Sequence, residues 1–440
     1  MPNKNVFCNV PWTNLHIYWD GSYGMCCSES GKPYSKLEKQ YNIANMSIPE
    51  WFVSEPMRNI RLKMFSDDGL VDNCQLCYAE ESINHESRRI KENFKSVIFT
   101  ERGFHRSYQQ SPTYKIFESS KQTGSTDILP IDWHVDLGNE CNLACKMCSP
   151  RASSKIAAQY RQWGIVDTTQ SIFTNWTTND DTWQRFLDGI LQTPNLNRIH
   201  LMGGEPLLHK RFEGLLDFLL LNKKDISVSF VTNGTIYKQS IIDKLLQFKS
   251  SDIEISIESF DRTNNYIRQG SEVNRLIENI KKINDQTTDK FKLVIRSVPQ
   301  LLNVNSYYNL IEWCLEHRVS LQSIPLSNPT HLQINVLPWN IRQQIIKKYQ
   351  STKYKLEQLV NEKFNSLTTG RNSSNLEQQL LREINTIINL LSVSSDFEVD
   401  TQRQQLAMWL SKWDQEYNLD ALEYYPEYAE FFTNIGYGKV

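Results

Sequence analysis

The run Val135-Asp-Leu-Gly-Asn-Glu-Cys141-Asn-Leu-Ala-Cys145-Lys-Met-Cys148-Ser-Pro150 contains three cysteines, separated by three and then two residues. Three thiolates can hold three irons of a [4Fe–4S] cluster, whereas a purely electron-transferring cluster takes four protein ligands. One iron would then be open to a ligand that is not protein. By itself the spacing also allows a zinc site with a fourth ligand elsewhere, or a group of buried cysteines without a metal.

The sequence around this loop predicts an α/β fold. From Trp133 to about Pro325, short apolar runs alternate with helical patterns, which is typical of successive βα units and a parallel sheet. The predicted strands are Trp133–Leu137, Arg198–Met202, Ser227–Thr232, Ile253–Ile257, Phe291–Val298 and Ser320–Ile324. A closed eight-stranded barrel needs roughly 250 residues, so the shorter segment predicts an open six-stranded partial (β/α)6 barrel.

Glycine and polar residues follow the predicted strands at the ends where parallel α/β folds carry their sites. The run Gly203-Gly204-Glu205 follows the second strand, Asn233 follows the third, and Ser256 belongs to the end of the fourth. Glycines let the backbone approach a ligand closely, and a carboxylate suits an ammonium group. Arg268, further along, has the planar fork that binds a carboxylate with two parallel hydrogen bonds.

These motifs resemble those of the radical S-adenosylmethionine (radical SAM) enzymes, whose hallmark is this cysteine spacing with an apolar or aromatic residue before the third cysteine. The resemblance implies that the open iron chelates S-adenosylmethionine and that an electron cleaves it to a 5′-deoxyadenosyl radical, which abstracts a substrate hydrogen. It also implies the partial barrel. The implied cluster ligands are Cys141, Cys145 and Cys148, and the implied S-adenosylmethionine site comprises Met147, Gly203, Gly204, Glu205, Asn233, Ser256 and Arg268. Relatives usually carry Asp where this chain has Glu258.

Four further cysteines form a second candidate site near the N-terminus. An alternating run that ends at Asp20-Gly21 predicts a β-hairpin, which brings Cys8 toward Cys26. Cys74 and Cys77 have the two-residue gap that lets both thiolates face one metal. The pattern allows a four-cysteine zinc site. A redox pair at Cys74 and Cys77 is the weaker alternative, since no thioredoxin-like βαβ unit surrounds them.

The same cysteines resemble the auxiliary-cluster extensions called SPASM and twitch in radical SAM enzymes. Twelve residues separate Cys8 from Gly21, and four separate Gly21 from Cys26, as in that signature. The later cysteines of the full SPASM pattern are missing, so the resemblance implies the twitch form with one auxiliary [4Fe–4S] cluster on Cys8, Cys26, Cys74 and Cys77. The spacing favours Cys26 over Cys27. In most relatives the extension follows the barrel, whereas here it precedes it.

The predicted organisation is an auxiliary-cluster region at 1–95, a linker at 96–130, the partial barrel at 131–335 and a helical C-terminal region at 336–440. For Arg88 and Arg89 the alternatives are contact with an anionic group and a solvated helix face, and the solvated face is expected. Cys314 is expected to be a buried structural thiol. The aromatic residues near the C-terminus are expected to dock that segment onto the protein.

The nearly neutral net charge argues against binding to nucleic acid or to an anionic membrane surface. It places no restriction on small-molecule or peptide partners. Lys plus Arg number 48 and Asp plus Glu 50, so the net charge is −2. Neither a membrane-spanning apolar stretch nor a signal peptide is evident, which predicts a cytoplasmic protein.

The expected function is modification of a peptide or protein, by crosslinking or oxidation, with an electron donor such as flavodoxin or ferredoxin as partner. The closest alternative is radical dehydrogenation of a small alcohol or sugar. From another class, the chain could be a non-catalytic zinc-binding interaction protein, although zinc would require none of the motifs at the strand ends.

Overall fold

The computed structural model describes residues 6–27, 40–66, 70–82, 86–95, 99–100, 103–104, 112–165, 175–366, 376–393 and 399–438. About a third of the predicted linker, namely 96–98, 101–102 and 105–111, lies outside these residues. The chain forms two compact units, each built from discontinuous segments. The first comprises 1–141, 150–231 and 239–251, and the second comprises 142–149, 232–238 and 252–440.

Twelve strands lie in the described residues. They are β1 Asn14–Ile17, β2 Tyr23–Gly24, β3 Phe99–Thr100, β4 Gly103–Phe104, β5 Asp132–Asp136, β6 Ala144–Cys145, β7 Arg198–Met202, β8 Ser227–Thr232, β9 Ser250–Ser256, β10 Arg268–Gln269, β11 Phe291–Ser297 and β12 Ser320–Ser323. All six predicted barrel strands are present, as β5, β7, β8, β9, β11 and β12. The predicted fold class is confirmed, because the sheet is open, mostly parallel and accompanied by helices.

Helices connect most of these strands and make up the C-terminal region. They are α1 Val10–Thr13, α2 Ile48–Phe52, α3 Glu55–Met64, α4 Gln75–Ser82, α5 Arg88–Lys95, α6 Pro112–Ser120, α7 Ser154–Gln162, α8 Asp180–Gln192, α9 Phe212–Lys223, α10 Gln239–Leu245, α11 Thr263–Ile267, α12 Val273–Asn284, α13 Tyr307–Glu316, α14 Trp339–Ser366, α15 Leu376–Ser392, α16 Asp400–Tyr417, α17 Ala421–Tyr424 and α18 Ala429–Asn434. Within the described residues, no helix is both long and apolar enough to span a bilayer.

In the first unit the N-terminal hairpin joins the sheet. The predicted hairpin is confirmed, since β1 and β2 are antiparallel with Ile17 opposite Tyr23. On its other side β1 runs parallel to β5, with Leu15 opposite Trp133. The order β2–β1–β5–β7–β8 follows, and the last three strands are parallel. The cysteine-rich N-terminal segment is therefore attached beside the first predicted barrel strand.

A row of polar side chains crosses these strands at one register. His16, His134, His200 and Ser229 occupy paired positions on β1, β5, β7 and β8. All four are buried, and the His134 and His200 ring centroids are 4.9 Å apart. The residues before and after each of them are apolar and buried. Because side chains alternate between the faces of a strand, one face of this part of the sheet is polar and the other is apolar.

The second unit contains β9, β11 and β12 in that order, with β11 and β12 parallel. Its C-terminal helices have an apolar stripe at helical spacing, and the stripe on α15 is buried at Leu380, Ile384, Ile387 and Leu391. The predictions for Cys314 and for the C-terminal aromatic residues are confirmed. Cys314 is fully buried, and Tyr425, Tyr428, Phe431 and Phe432 are buried as well.

The loop after β7 approaches the loop after β5 so closely that only glycine fits. Gly203 and Gly204 have positive φ angles of 91° and 54°. A Cβ atom on Gly204 would lie 2.1 Å from the carbonyl oxygen of Glu140, and one on Gly203 would lie 2.4 Å from that of Gly138. The backbone would have to move to accept a side chain at either position.

Gly204→Ala should therefore destabilise the fold by about 1–3 kcal/mol, through the left-handed backbone and the contact with Glu140. Gly214→Ala is the matched control, because Gly214 lies in helix α9 with nothing within 4 Å of the added atom. That control should be neutral or more stable by up to about 1 kcal/mol. Denaturation midpoints of the two variants measure the difference, and equal midpoints would contradict the close approach of the two loops.

Candidate functional site

In the first unit, Cys141 is placed by contacts around the loop that precedes it. The Cys141 N–H donates to Ser154 Oγ at 3.2 Å, and the Glu205 N–H donates to the carbonyl oxygen of Glu140 at 2.7 Å. Glu205 is buried, and its Oε1 accepts from the Leu207 N–H at 3.1 Å. The predicted Gly-Gly-Glu motif thus packs against the residue next to the first cysteine.

In the second unit, Cys145 and Arg268 face each other across a two-residue ladder. Strands β6 and β10 are antiparallel, and Cys145 lies opposite Arg268. Arg268 NH1 donates to Cys145 Sγ at 3.7 Å, and the Cys148 N–H donates to the carbonyl oxygen of Cys145 at 2.9 Å. A cation beside the thiol favours its thiolate form, which is the form that ligates iron.

The orientation of Arg268 is set by Glu258. Arg268 Nε and NH2 both donate to Glu258 Oε1, at 3.1 and 2.7 Å. The other oxygen of Glu258 accepts from Ser297 Oγ, the Val298 N–H and Asn303 Nδ2 at 2.9–3.0 Å. Burial alone would lower the pKa of Arg268, but Glu258 and Cys145 raise it above its ordinary value. The Glu258 position that departs from the family pattern therefore orients the arginine.

The other residues predicted to bind S-adenosylmethionine in this unit have different surroundings. Asn233 Nδ2 donates to Asn142 Oδ1 at 2.8 Å, which connects the loop after β8 to the cysteine loop. Asn142 in turn donates to Thr235 Oγ1 at 2.9 Å. Ser256 is the half-buried last residue of β9, and Met147 is half-buried in the cysteine loop.

The four predicted auxiliary ligands line one cavity in the first unit. Cys8, Cys26, Cys74 and Cys77 are all buried and lie on its wall together with Arg88. Cys8 precedes α1, Cys26 follows the hairpin, and Cys74 and Cys77 come from the turn and helix at 72–82. Among the described residues, no group of three or more His, Cys, Asp and Glu side chains has the spacing for a single metal ion.

The burial of these thiols and the two arginines beside them are compatible with a bound cluster. Burial raises the pKa of Cys8 to about 12 and also raises the pKa of Cys77. A protonated, buried thiol is inert, and a metal or cluster removes the proton when it binds. The basic side chains Arg88 and Arg89, also on the wall, would offset the negative charge of four thiolates.

The structure distinguishes Cys26 from Cys27. Cys26 lines the cavity, whereas Cys27 Sγ accepts a hydrogen bond of 2.7 Å from Arg88 NH1. Interaction with Cys26, Arg88 and His134 lowers the pKa of Cys27 well below its usual value despite its burial. The hydrogen bond with Cys27 raises the pKa of Cys26, and burial raises it further.

The prediction that Arg88 and Arg89 lie on a solvated helix face is wrong. Arg88 NH2 lies 2.9 Å from His134 Nε2, and its side chain is 16% exposed. Arg89 pairs with Glu81 through Nε at 2.9 Å and donates to the carbonyl oxygen of Phe7 at 3.0 Å. Both arginines of α5 are thus structural partners of the cysteine-rich segment.

Several polar residues in these surroundings were not singled out from the sequence. The histidines at the middle of β1, β5 and β7 interrupt apolar runs, and this alternation is a signal that could have found them. Lys146, between two cysteines, is only 2% exposed. Its burial lowers its pKa to about 7, against the opposing effects of Asp414 and Cys145. No pattern in the sequence predicts that burial.

Comparison with known proteins supports both candidate clusters. A family model described as the radical SAM superfamily matches residues 135–299, and one described as an iron–sulfur cluster-binding domain, SPASM, matches residues 8–78. No curated protein matches the chain.

Solved structures give weaker similarities. Streptococcus suis SuiB bound to S-adenosylmethionine has a TM-score of 0.38 at 15% identity, over 74% of this chain and 68% of that one. SuiB bound to precursor peptide SuiA has a TM-score of 0.36 at 15% identity, over 73% and 67% of the two chains. Native anSMEcpe with bound AdoMet has a TM-score of 0.39 at 18% identity, over 53% and 62%. With TM-scores this low, the family assignment rests on the two family models.

In its folded form, Arg268→Ala should bind S-adenosylmethionine more weakly by about 1.5–3 kcal/mol, or roughly tenfold to a hundredfold, because one charge-assisted contact is lost. The same change leaves the buried Glu258 without its cation and should also lower stability. The affinity of Arg268→Lys should lie between those of the wild type and Arg268→Ala, since lysine keeps the charge but lacks the planar fork of donors. Anaerobic equilibrium dialysis measures both. Arg275→Ala, at an exposed position of α12, is the control. Unchanged affinity in Arg268→Ala would remove Arg268 from the site.

Cys26→Ser should reduce the iron of the reconstituted protein from about eight to about four atoms per chain, because one four-iron cluster loses a ligand. Cys27→Ser, which changes the neighbouring thiol outside the cavity wall, should retain about eight. Iron and zinc analysis of both variants decides the assignment. Loss of iron only in Cys27→Ser would exchange the two roles, and zinc in place of four irons would exclude the auxiliary cluster.

Each family model covers one group of cysteines. The radical SAM model includes the cysteine loop, Arg268 and the Gly-Gly-Glu loop. The SPASM model includes the four cysteines that line the N-terminal cavity. The cofactors that follow are two iron–sulfur clusters and S-adenosylmethionine. Residues 135–299 therefore form a radical SAM domain, and a SPASM-class iron–sulfur cluster-binding domain precedes it at residues 8–78.

Proposed function

We propose that the chain reductively cleaves S-adenosylmethionine and uses the resulting radical to modify a peptide or protein, by crosslinking or oxidising it. The observation that carries this proposal is the Arg268–Cys145 pair, held in place by Glu258. When bound, the cluster and S-adenosylmethionine together supply a 5′-deoxyadenosyl radical that takes a carbon-bound hydrogen from the substrate.

The residues of the chain would position these groups. Cys141, Cys145 and Cys148 would hold the cluster, and Arg268 would bind the methionine carboxylate through the guanidinium N–H groups that Glu258 does not use. Glu205 and the backbone of the glycine loop bind the amino group. Ser256 would contact the ribose of S-adenosylmethionine, and Asn233 and Met147 would lie beside the bound molecule.

In the auxiliary site, Cys8, Cys26, Cys74 and Cys77 would hold a [4Fe–4S] cluster that accepts an electron from the substrate radical or ligates the substrate. Their common cavity and the two arginines on its wall support this assignment. The regions 1–95, 131–335 and 336–440, with a linker between the first two, remain our proposed organisation. A reducing partner such as flavodoxin or ferredoxin would supply electrons.

A groove in the second unit supports a peptide substrate. It lies among α14, α16 and α18, and its lining includes Ile341, Arg403, Glu427, Glu430 and Phe431. Apolar surface next to charged and hydrogen-bonding groups suits an extended peptide, which presents both kinds of contact along its length. The groove would hold a part of the substrate other than the reacting residue.

Deuterium transfer tests the substrate class without knowing the substrate. The source organism is grown in deuterated medium, its extract is separated by size, and each fraction is incubated anaerobically with the reconstituted protein and S-adenosylmethionine. We expect deuterium in 5′-deoxyadenosine from the peptide fraction, and loss of that signal after protease treatment of the fraction.

The control is the Cys145→Ala variant, which should form no 5′-deoxyadenosine from any fraction. Deuterium from the smallest, protease-resistant fraction would instead establish the alternative of a small alcohol or sugar. A protein that takes up zinc but no iron, and that leaves S-adenosylmethionine intact, would be the non-catalytic zinc-binding alternative.

A further inference from the structure

Lys146 is a buried cation inside the cysteine loop, and the proposed function gives it no role. It lies between Cys145 and Met147, and its side chain is almost completely removed from solvent. Burying an ammonium group is costly unless other groups replace its hydration. The contacts that replace it therefore indicate what the residue does.

Those contacts come from α11 and from the C-terminal helix α16. Lys146 Nζ donates to the carbonyl oxygen of Tyr266 at 2.6 Å and lies 3.8 Å from the centroid of the Tyr266 ring. The Trp413 and Tyr417 rings of α16 follow at 5.2 and 6.0 Å. Three aromatic faces around one ammonium group form a cation–π box.

A buried carboxylate on the same helix completes the box. Asp414 Oδ1 accepts from the Tyr266 hydroxyl at 2.9 Å. Its Oδ2 accepts from the Ala421 N–H at 2.7 Å and from the Tyr437 hydroxyl at 2.5 Å. Asp414 thus connects the ring beneath Lys146 to two further points of the C-terminal segment.

The backbone of Lys146 belongs to the ladder that carries the cluster ligand. The Lys146 N–H donates to the carbonyl oxygen of Ile267 at 2.9 Å, next to the Cys145–Arg268 pair. A displacement of the Lys146 side chain would therefore move the strand that carries Cys145. Every group in this chain of contacts lies in the second unit.

We propose that Lys146 is a positioning residue through which the C-terminal segment 399–438 holds the cysteine loop in its ligating conformation. The segment would then help to position a cluster ligand, in addition to packing against the rest of the unit. This inference rests on the proposed function in one respect, namely that Cys145 ligates the cluster.

The first measurement uses the full chain without iron. Limited proteolysis of the C-terminal segment should be about fivefold to thirtyfold faster in Lys146→Met than in wild type, because a desolvated cation–π interaction is lost. Lys146→Arg, which keeps a cation that stacks on aromatic rings, should stay within about twofold of wild type. Lys281→Met, at an exposed lysine of α12, is the matched control.

The second measurement uses the reconstituted protein. A chelator should remove iron from the Cys141–Cys148 cluster at least about fivefold faster in Lys146→Met, with the auxiliary cluster unaffected. The electron paramagnetic resonance spectrum of the reduced cluster should also change in its response to S-adenosylmethionine. Tyr417→Leu, on a half-buried ring of α16, should reproduce both effects and decides the question if Lys146→Met does not fold.

The proposal would be overturned if Lys146→Met is cleaved and loses iron at the same rates as the wild-type protein. Tyr417→Leu provides this test if Lys146→Met is unfolded. Faster proteolysis without any change in iron release or in the spectrum would also overturn it, because that pattern belongs to a purely structural contact. If the wild-type protein takes up no iron at all, the proposed function fails. The role of Lys146 is then judged from proteolysis alone, and wild-type rates in both variants would reject it.

Discussion

The ion pair between Arg268 and Glu258 is the interaction on which the arrangement of the cysteine loop depends. A fully buried carboxylate must be neutralised and hydrogen-bonded, and Glu258 achieves this with Arg268 on one oxygen and three donors on the other. The arginine has little freedom left, so its remaining nitrogen faces Cys145. Removing either partner would leave an unpaired buried charge, which is far more destabilising than the loss of a surface contact.

A second constraint comes from backbone contacts around the same loop. The glycine loop after β7 meets Glu140 without room for a side chain, and β6 pairs with β10 over only two residues. Neither contact involves the cysteine side chains. The loop is therefore shaped by its neighbours before any iron is present, and the thiols need only to lose their protons when a cluster binds.

The sequence was informative wherever chemistry requires a fixed spacing. The cysteine runs, the Gly-Gly-Glu motif and the six strands could be predicted because ligand geometry and strand periodicity leave few alternatives. The environment of Arg88 could not be predicted, since a charged residue in a helical pattern is usually solvated and its partners Cys27 and His134 are distant in sequence. The burial of Lys146 was hidden for the same reason, because its aromatic neighbours Trp413 and Tyr417 lie far along the chain.

The parallel pairing of β1 with β5 has a consequence for solubility. A parallel strand at the open edge of a sheet presents unpaired backbone groups, which can recruit a strand from another molecule. Here β1 covers that edge of β5, and the new outer strand, β2, is only two residues long. The cysteine-rich segment thereby protects the sheet from self-association. A chain in which this segment fails to fold would leave that edge of β5 uncovered, and an uncovered edge strand favours aggregation.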